Sequence, residues 1–441
     1  MSENFELPEG WAITNLENVV DILDNRRIPI NSKEREKRKG DIPYYGATGR
    51  VGWIDDFIFN EELLLLGEDG APFLDKSKNI AYVISGKSWV NNHAHVLRAI
   101  KGLTSNCFIK HFLNFFDFTD FVSGTTRLKL NQSSMRQIPI KLPPLAEQKR
   151  IVAKVEALLA RVNAARERLG QVAVILKRFR QAVLAAACSG RLTEDWREEN
   201  QIEWEIVPLE NILIKKGIFD GPFGSNLKTS DYVNLGVRVI RLENIGQLKF
   251  NNEKKVFITF KKYEGLKKHT VYEGDVIFSS FISDFTRVCI LPQLEEITIA
   301  KADCFCIRPN ASLITNKFLS IQLSSQVVHD KLLQDIHGAT RPRVNISQLK
   351  KLEIALPLIN EQHEIVRRVE ALFHLAERIE ARVQAAQAHA NQLSQSILAK
   401  AFRGELVPTE AELARQEGRA YEPAKVLLER IQAERERKNH P

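Results

Sequence analysis

The sequence predicts an α+β protein: two globular α/β domains separated by a long antiparallel two-helix coiled coil, with the halves related as a pseudo-two-fold internal repeat. Three observations carry this. Residues 124–193 match residues 338–407 without a gap, at a constant offset of 214 (338 − 124). Each matched stretch contains a long heptad pattern. Ahead of each lies a segment mixing strand and helix signals, and these two segments differ in sequence and length. The repeat pairs Arg127 with Arg341, Asn131 with Asn345, Glu147-Gln148 with Glu361-Gln362 and Gly190 with Gly404. The starts pair too: Trp11 and Leu16-Glu17-Asn18 correspond to Trp204 and Leu209-Glu210-Asn211, at an offset of 193 (204 − 11), so the second insert is longer by 21 (214 − 193).

Taken in order, the first domain spans residues 1–143. Runs at 80–84 and 89–99 are rich in Val, Ile and aromatics and read as strands; 107–121 is apolar at helical spacing; 128–142 returns to extended character before Pro143-Pro144. A long helix follows at 144–190. The second domain, 191–356, repeats the course with strands near 237–242, 275–280 and 303–308 and a helix near 316–336. A second long helix occupies 357–404, and 405–441 is a tail with a short helix around Val426-Leu427-Leu428-Glu429-Arg430-Ile431.

The helices carry the clearest periodicity. One seam of the first is Val155, Val162, Leu169, Leu176 and Val183, beside a row of Ile151, Leu158, Ala165, Val172, Phe179 and Ala186. The second has Val369, Ala376, Val383, Ala390 and Ile397 beside Ile365, Leu372, Ile379, Ala386 and Leu393. Alternating spacings of four and three, sustained this long, are coiled-coil heptads, and each helix should reach ~60 Å. Glu147 and Glu361 suit the positive end of a helix dipole, and Gly190 and Gly404 suit a C-terminal stop. The first helix delivers the chain to the second domain, so the second packs on it only by running back, giving a rod with a domain at each end. One face of a globular bundle, and homodimerisation through the same seams, are the rival arrangements.

A net charge of +8 and a pI near 9.1 favour a polyanionic partner, though charge alone does not name it. The five cysteines are scattered without a CxxC pair, which argues against a disulfide framework or zinc site. The acidic start has no apolar core of a signal peptide and no run approaches a membrane span, so a cytoplasmic location is expected.

Enzyme signatures are missing. Gly221-Pro222-Phe223-Gly224-Ser225-Asn226-Leu227-Lys228 resembles a phosphate loop only superficially, because the lysine does not follow the glycine. His93-Ala94-His95 could place two imidazoles on one strand face, but without a third ligand this reads as strand alternation, and no metal site is expected. DNA-reading chemistry fares better. Asn91, Asn92, His93 and His95 can hydrogen-bond base edges, and Tyr45 and Thr48 lie on a Gly-hinged loop. The basic run Lys33, Arg35, Lys37, Arg38 and Lys39 suits phosphates, unless its interleaved glutamates mark a merely solvated loop. In the second insert Ser225, Asn226, Lys228, Arg238, Arg241, Ser279-Ser280 and Arg287 occupy comparable positions. Arg127 and Arg341, the matched pair, complete the candidate DNA-binding set.

The stretches Leu142-Pro143-Pro144-Leu145-Ala146-Glu147-Gln148, Leu176-Lys177-Arg178-Phe179-Arg180-Gln181-Ala182-Val183-Leu184, Ala399-Lys400-Ala401-Phe402-Arg403-Gly404-Glu405-Leu406 and Asp220-Gly221-Pro222-Phe223-Gly224-Ser225-Asn226-Leu227-Lys228 resemble the conserved regions of the specificity (S) subunit of type I restriction-modification systems. The resemblance covers essentially the whole chain in order. It implies two target recognition domains, each reading one half of a bipartite double-stranded DNA target, and two helices serving as spacer and docking platform. It implies partners: methyltransferase (modification) subunits using S-adenosylmethionine, and restriction/translocase subunits using ATP and Mg. No catalytic residue and no cofactor are then expected in this chain. Unlike inserts imply an asymmetric target, with half-sites about one helical turn apart on one DNA face. A coiled-coil scaffold that touches no DNA is the alternative.

Overall fold

A computed structural model describes residues 7–198, 203–334 and 342–439. The chain divides into two compact units, Met1–Leu169 with Gln384–Pro441, and Gly170–Val383.

The first unit is built on two sheets. One has the strand order Val20–Ile22, Ala94–Ala99, Leu63–Gly67, Ala81–Ile84, all antiparallel. Leu63 to Leu66 read as an unbroken apolar run because both faces of their strand are covered: Leu64 and Leu66 face helix Asn106–Phe115 through Phe108 and Phe112, while Leu63 and Leu65 face Phe59, Val90 and Val96. The second sheet orders Gly49–Ile54, Ile42–Gly46, Lys87–Val90, Phe59–Asn60, with one parallel pair. A ribbon of Ala12–Asn15 against Pro139–Leu142 ties the start of the domain to its end.

The second unit keeps this frame. Its ribbon pairs Glu205–Pro208 with Glu353–Leu356. Leu213–Phe219, Cys304–Pro309, Val276–Ser279 and Val288–Ile290 form an antiparallel sheet in the order of the first-unit counterpart. The remaining insert differs, forming a five-stranded mixed sheet of Tyr232–Val233, Phe257–Ile258, Val237–Ile240, Thr298–Ala300 and Thr270–Val271.

The residues duplicated between halves are mostly the joints of this frame. Trp11 Nε1 donates to Glu147 at 2.9 Å, as Trp204 Nε1 does to Glu361 at 2.8 Å. Gln148 Nε2 donates to the carbonyls of Leu103 and Pro143, and Gln362 Nε2 to those of Leu313 and Pro357. Asn131 and Asn345 cap helices Gln132–Arg136 and Ile346–Lys350. Gly190 and Gly404 take the left-handed conformation, φ 76° and 78°, that stops each long helix.

The long helices run Leu145–Cys188 and Ile359–Ala401. Within the first unit Ile151, Val155 and Val162 pack with Ile397, Leu398 and Ala401, and Arg166 donates to Ala390 O and Ser394 Oγ. Within the second, Val183, Leu184 and Ala187 pack with Ile365, Val366 and Val369, and Arg180 pairs with Glu380. Both sets pair in antiparallel order. The heptad rows are not kept to the end: Leu393 is 50% exposed while Ser394 turns inward to Arg166. A straight helix drifts ~20° per heptad, which rotates the expected row off the seam.

Other elements depart from expectation. The run 89–99 is two strands, broken where Asn91 Oδ1 accepts the His93 N–H at 2.8 Å. The helix expected at 107–121 ends at Phe115, where Phe116 turns extended. The extended stretch 128–142 contains helix Gln132–Arg136. The 316–336 helix is two, Asn316–Leu323 and Gln326–Gln334, interrupted at Ser324-Ser325, with its last residues outside the described range.

Candidate nucleic-acid interface

In the first unit, hairpin strands Ile42–Gly46 and Gly49–Ile54 are joined by Ala47-Thr48, with Gly49 at φ 141°. Beside it opens a cleft of about 660 Å³ whose polar lining includes Asn31, Glu34, Arg35, Asn91, Asn92 and His93. Its buried wall is Tyr44, whose phenol burial pushes up against the opposing pull of Arg35. Arg35 lies 5.0 Å over the Tyr44 ring, Arg38 4.7 Å over Trp89, and Arg50 4.4 Å over Trp53, itself 49% exposed. Thr48 and Asn92 are exposed and Tyr45 half-buried against Tyr82. Asn91 is buried and its carbonyl shapes the turn that presents Asn92 and His93. Asp69 gathers two neighbours, with His93 Nδ1 at 3.4 Å and Arg127 Nε at 2.7 Å, and Arg127 remains exposed to solvent.

His95 must be removed from the candidate set. It is 1% exposed, with Nδ1 2.7 Å from Asp24 and Nε2 2.9 Å from the Leu130 carbonyl. Both ring nitrogens lie against buried oxygen atoms, so the ring is spent on packing. Asp24, Glu68 and His95 bring potential ligand atoms within 4.8 Å of one another. They do not fit a metal ion, because Arg27 already supplies the positive charge there, 2.6 Å from Glu68 and 3.5 Å from Asp24. Burial alone would raise the Asp24 carboxyl, but His95, the Val96 N–H and Gln132 outweigh it and hold it below the ordinary value.

In the second unit Asn226 and Lys228 are exposed on successive short turns, and the Lys228 N–H donates to Asp231. Only the backbone of Ser225 is described. Arg241 lies 5.8 Å from the Tyr232 ring and pairs with Glu243 at 3.3 Å; Lys301 Nζ approaches the same ring at 5.5 Å. Lys262, 3.1 Å from Asp231, extends this basic patch. Arg287 instead ties Leu242 O to Ser279 Oγ and acts as a brace. Arg238 is 1% exposed beneath Phe250, and Ser279 and Ser280 are buried, so none of the three offers a reading surface. Arg341 lies outside the described residues.

The sequence reading missed Arg50 and Trp53, whose alternation along an exposed hairpin strand was the available signal. It also missed Tyr232 and Lys301, which only tertiary folding brings to Arg241.

One frame presenting two unlike, cation-rich polar faces defines a protein built to recognise rather than to repeat a single site. The Type I restriction modification DNA specificity domain matches twice, over residues 8–172 and 201–386, and the chain belongs to that family. The type I restriction enzyme EcoBI specificity subunit of Escherichia coli is 37% identical over 336 residues, covering 71% of this chain and 68% of that protein. The EcoKI specificity subunit of Escherichia coli strain K12 is 29% identical across 98% of this chain and 96% of its own. A solved structure described under complex assembly and conformational transition of the type I R-M system shares the fold, with a TM-score of 0.64 at 18% identity over 91% of this chain and all of that one. The chain is a type I DNA-specificity subunit with two recognition domains and two long helices, and these matches do not favour a coiled-coil scaffold that touches no DNA. Among the described residues no helix is long and apolar enough to cross a membrane.

Proposed function

We propose that each unit reads one half of a bipartite, asymmetric double-stranded DNA target in the cytoplasm, and that this chain supplies the address while other chains supply the chemistry. Modification subunits would bring S-adenosylmethionine, and restriction/translocase subunits ATP and Mg. The observation that carries the reading is the contrast between a shared frame and two unshared faces: the hairpin and Asn-lined cleft of the first unit, and the Tyr232-centred basic patch of the second.

The repeat also sorts the contacts. A residue common to both halves cannot encode a difference between half-sites. Cations that recur, Arg127 with Arg341 and Lys129 with Arg343, therefore suit the DNA backbone. Lys129 and Arg343 lie 3.5 Å and 3.6 Å from Glu68 and Asp303. Residues without a counterpart, Thr48, Asn92, His93 and Arg50 in one unit and Asn226, Lys228 and Arg241 in the other, suit base edges. In a purified complex Arg127→Ala should weaken binding to all sequences alike and lower the salt slope by about one, whereas Asn92→Ala should relax one base position. Equal loss of sequence discrimination from both substitutions would refute this division.

A further inference from the structure

Among the described residues, the first unit carries an element that the second does not. In the first unit the segment beyond Gly404 ends in helix Ala424–Asn439. Ala424, Leu427, Leu428 and Ile431 join the first-unit core together with Leu103. The Ala424 N–H donates to Gly10 O at 2.8 Å, and Arg435 donates to Asp21 at 2.6 Å. Tyr421 and Leu427 line a pocket with Pro144. The helix therefore runs from Gly10 toward Asp21 across Leu103.

In the second unit those positions are Glu203, Ile214, Leu313 and Leu358. Leu313 and Leu103 are matched by carbonyls that accept from Gln362 and Gln148. Ile214 and Asp21 are matched by register, each following a residue paired to the end of the neighbouring strand, Leu213 with Pro309 and Val20 with Ala99. Among the described residues, the segment beyond Gly190 forms the turn Arg191–Thr193 and the short helix Glu194–Glu198 before strand Glu205–Pro208. Leu103 is fully buried, but Leu313 is 38%, Ile214 47% and Leu358 52% exposed.

We propose that the face formed by Ile214, Leu313 and Leu358 docks an amphipathic helix from a companion protein chain, seated as the tail helix seats on the first unit. The charges flanking the face set its polarity. Exposed Glu203 stands where the docked helix would begin, and exposed Lys215 and Lys216 stand beyond Ile214 where it would end. That arrangement complements a helix dipole running in the tail helix's direction, with carboxylates in the final turn. It disfavours a second copy of this chain's own tail, which would bring Arg435 and Arg437 against the two lysines. Tyr421 packs so closely on Gly10 that a Cβ there would lie 2.9 Å from its ring, and Glu203 carries a side chain at that place.

The proposal rests on the reading of this chain as a subunit that works with a modification subunit, and its test separates the two. The full chain and its companion modification subunit are titrated by sedimentation, using the unsubstituted protein, Leu313→Glu, Leu358→Glu and Ile13→Glu. Ile13 is equally apolar and exposed but lies off the matching face. A carboxylate forced against an apolar helix should weaken assembly about tenfold or more at Leu313 or Leu358 and leave Ile13→Glu unchanged. A photo-cross-linker at position 313 should join a helix of the modification subunit. Unchanged affinity in both groove variants, or cross-links only to residues 424–439 of another copy, overturns the proposal while leaving the subunit reading intact. If the unsubstituted chain binds no modification subunit, both fall.

Discussion

The two units share a ribbon, an antiparallel four-stranded sheet and a Trp–Glu joint, yet they fill that frame differently. The contrast shows at Phe402. In the first unit it packs against Phe108, Phe112 and Phe115, at ring separations of 5.6, 5.2 and 5.8 Å. The matched position in the second unit is Cys188, a smaller side chain contacting Ile321 O. Polar joints are duplicated, whereas apolar packing and reading surfaces have diverged. Hydrogen-bonded joints demand specific partners at fixed geometry; a core demands volume, which many side chains supply.

That contrast can be broken at several depths. Phe402→Ala should cost about 3–5 kcal/mol in the first unit alone, seen as accelerated amide exchange confined to it. Exchange rising equally in both units would mean that the cores are not independent. Glu361→Ala leaves the Trp204 N–H and Thr193 Oγ1 without their acceptor and Arg197 without its ion-pair partner, and should cost about 2–4 kcal/mol in the second unit. A third test uses pH. Because Asp24 is held below its ordinary value, its contribution is present above the unfolded carboxyl range near about 4 and is lost as pH falls through the lower folded value. Acid should therefore weaken the first unit there, and Asp24→Asn should flatten that part of its stability profile. Asn92→Ala should cost about 1–3 kcal/mol of discrimination at one base of one half-site. Smallest of all, Leu393→Gln should change thermal stability by less than about 0.5 kcal/mol, since the residue lies off the seam.

Much of the frame was legible in the sequence because it rests on local periodicity and on self-comparison. The heptads located both long helices, and the duplicated Pro, Glu-Gln and Gly positions marked their ends. What escaped detection was set by tertiary contacts. His93 and His95 look equivalent as alternating strand residues, but the strand breaks at Asn91 and only His95 enters the core beside Asp24. Arg238 reads like a surface cation until Phe250 and Glu296 enclose it. The Tyr232 patch collects side chains from positions 232, 241 and 301, a convergence no local pattern records.

The central claim, one frame carrying two different readers, is tested most directly by selecting DNA from a random pool with the purified complex, first with the unsubstituted chain and then with Asn92→Ala. The account predicts a bipartite motif of two unlike halves, with the substitution relaxing bases in one half and leaving the other as it was. A palindromic motif, or a change in both halves from the single substitution, would contradict it.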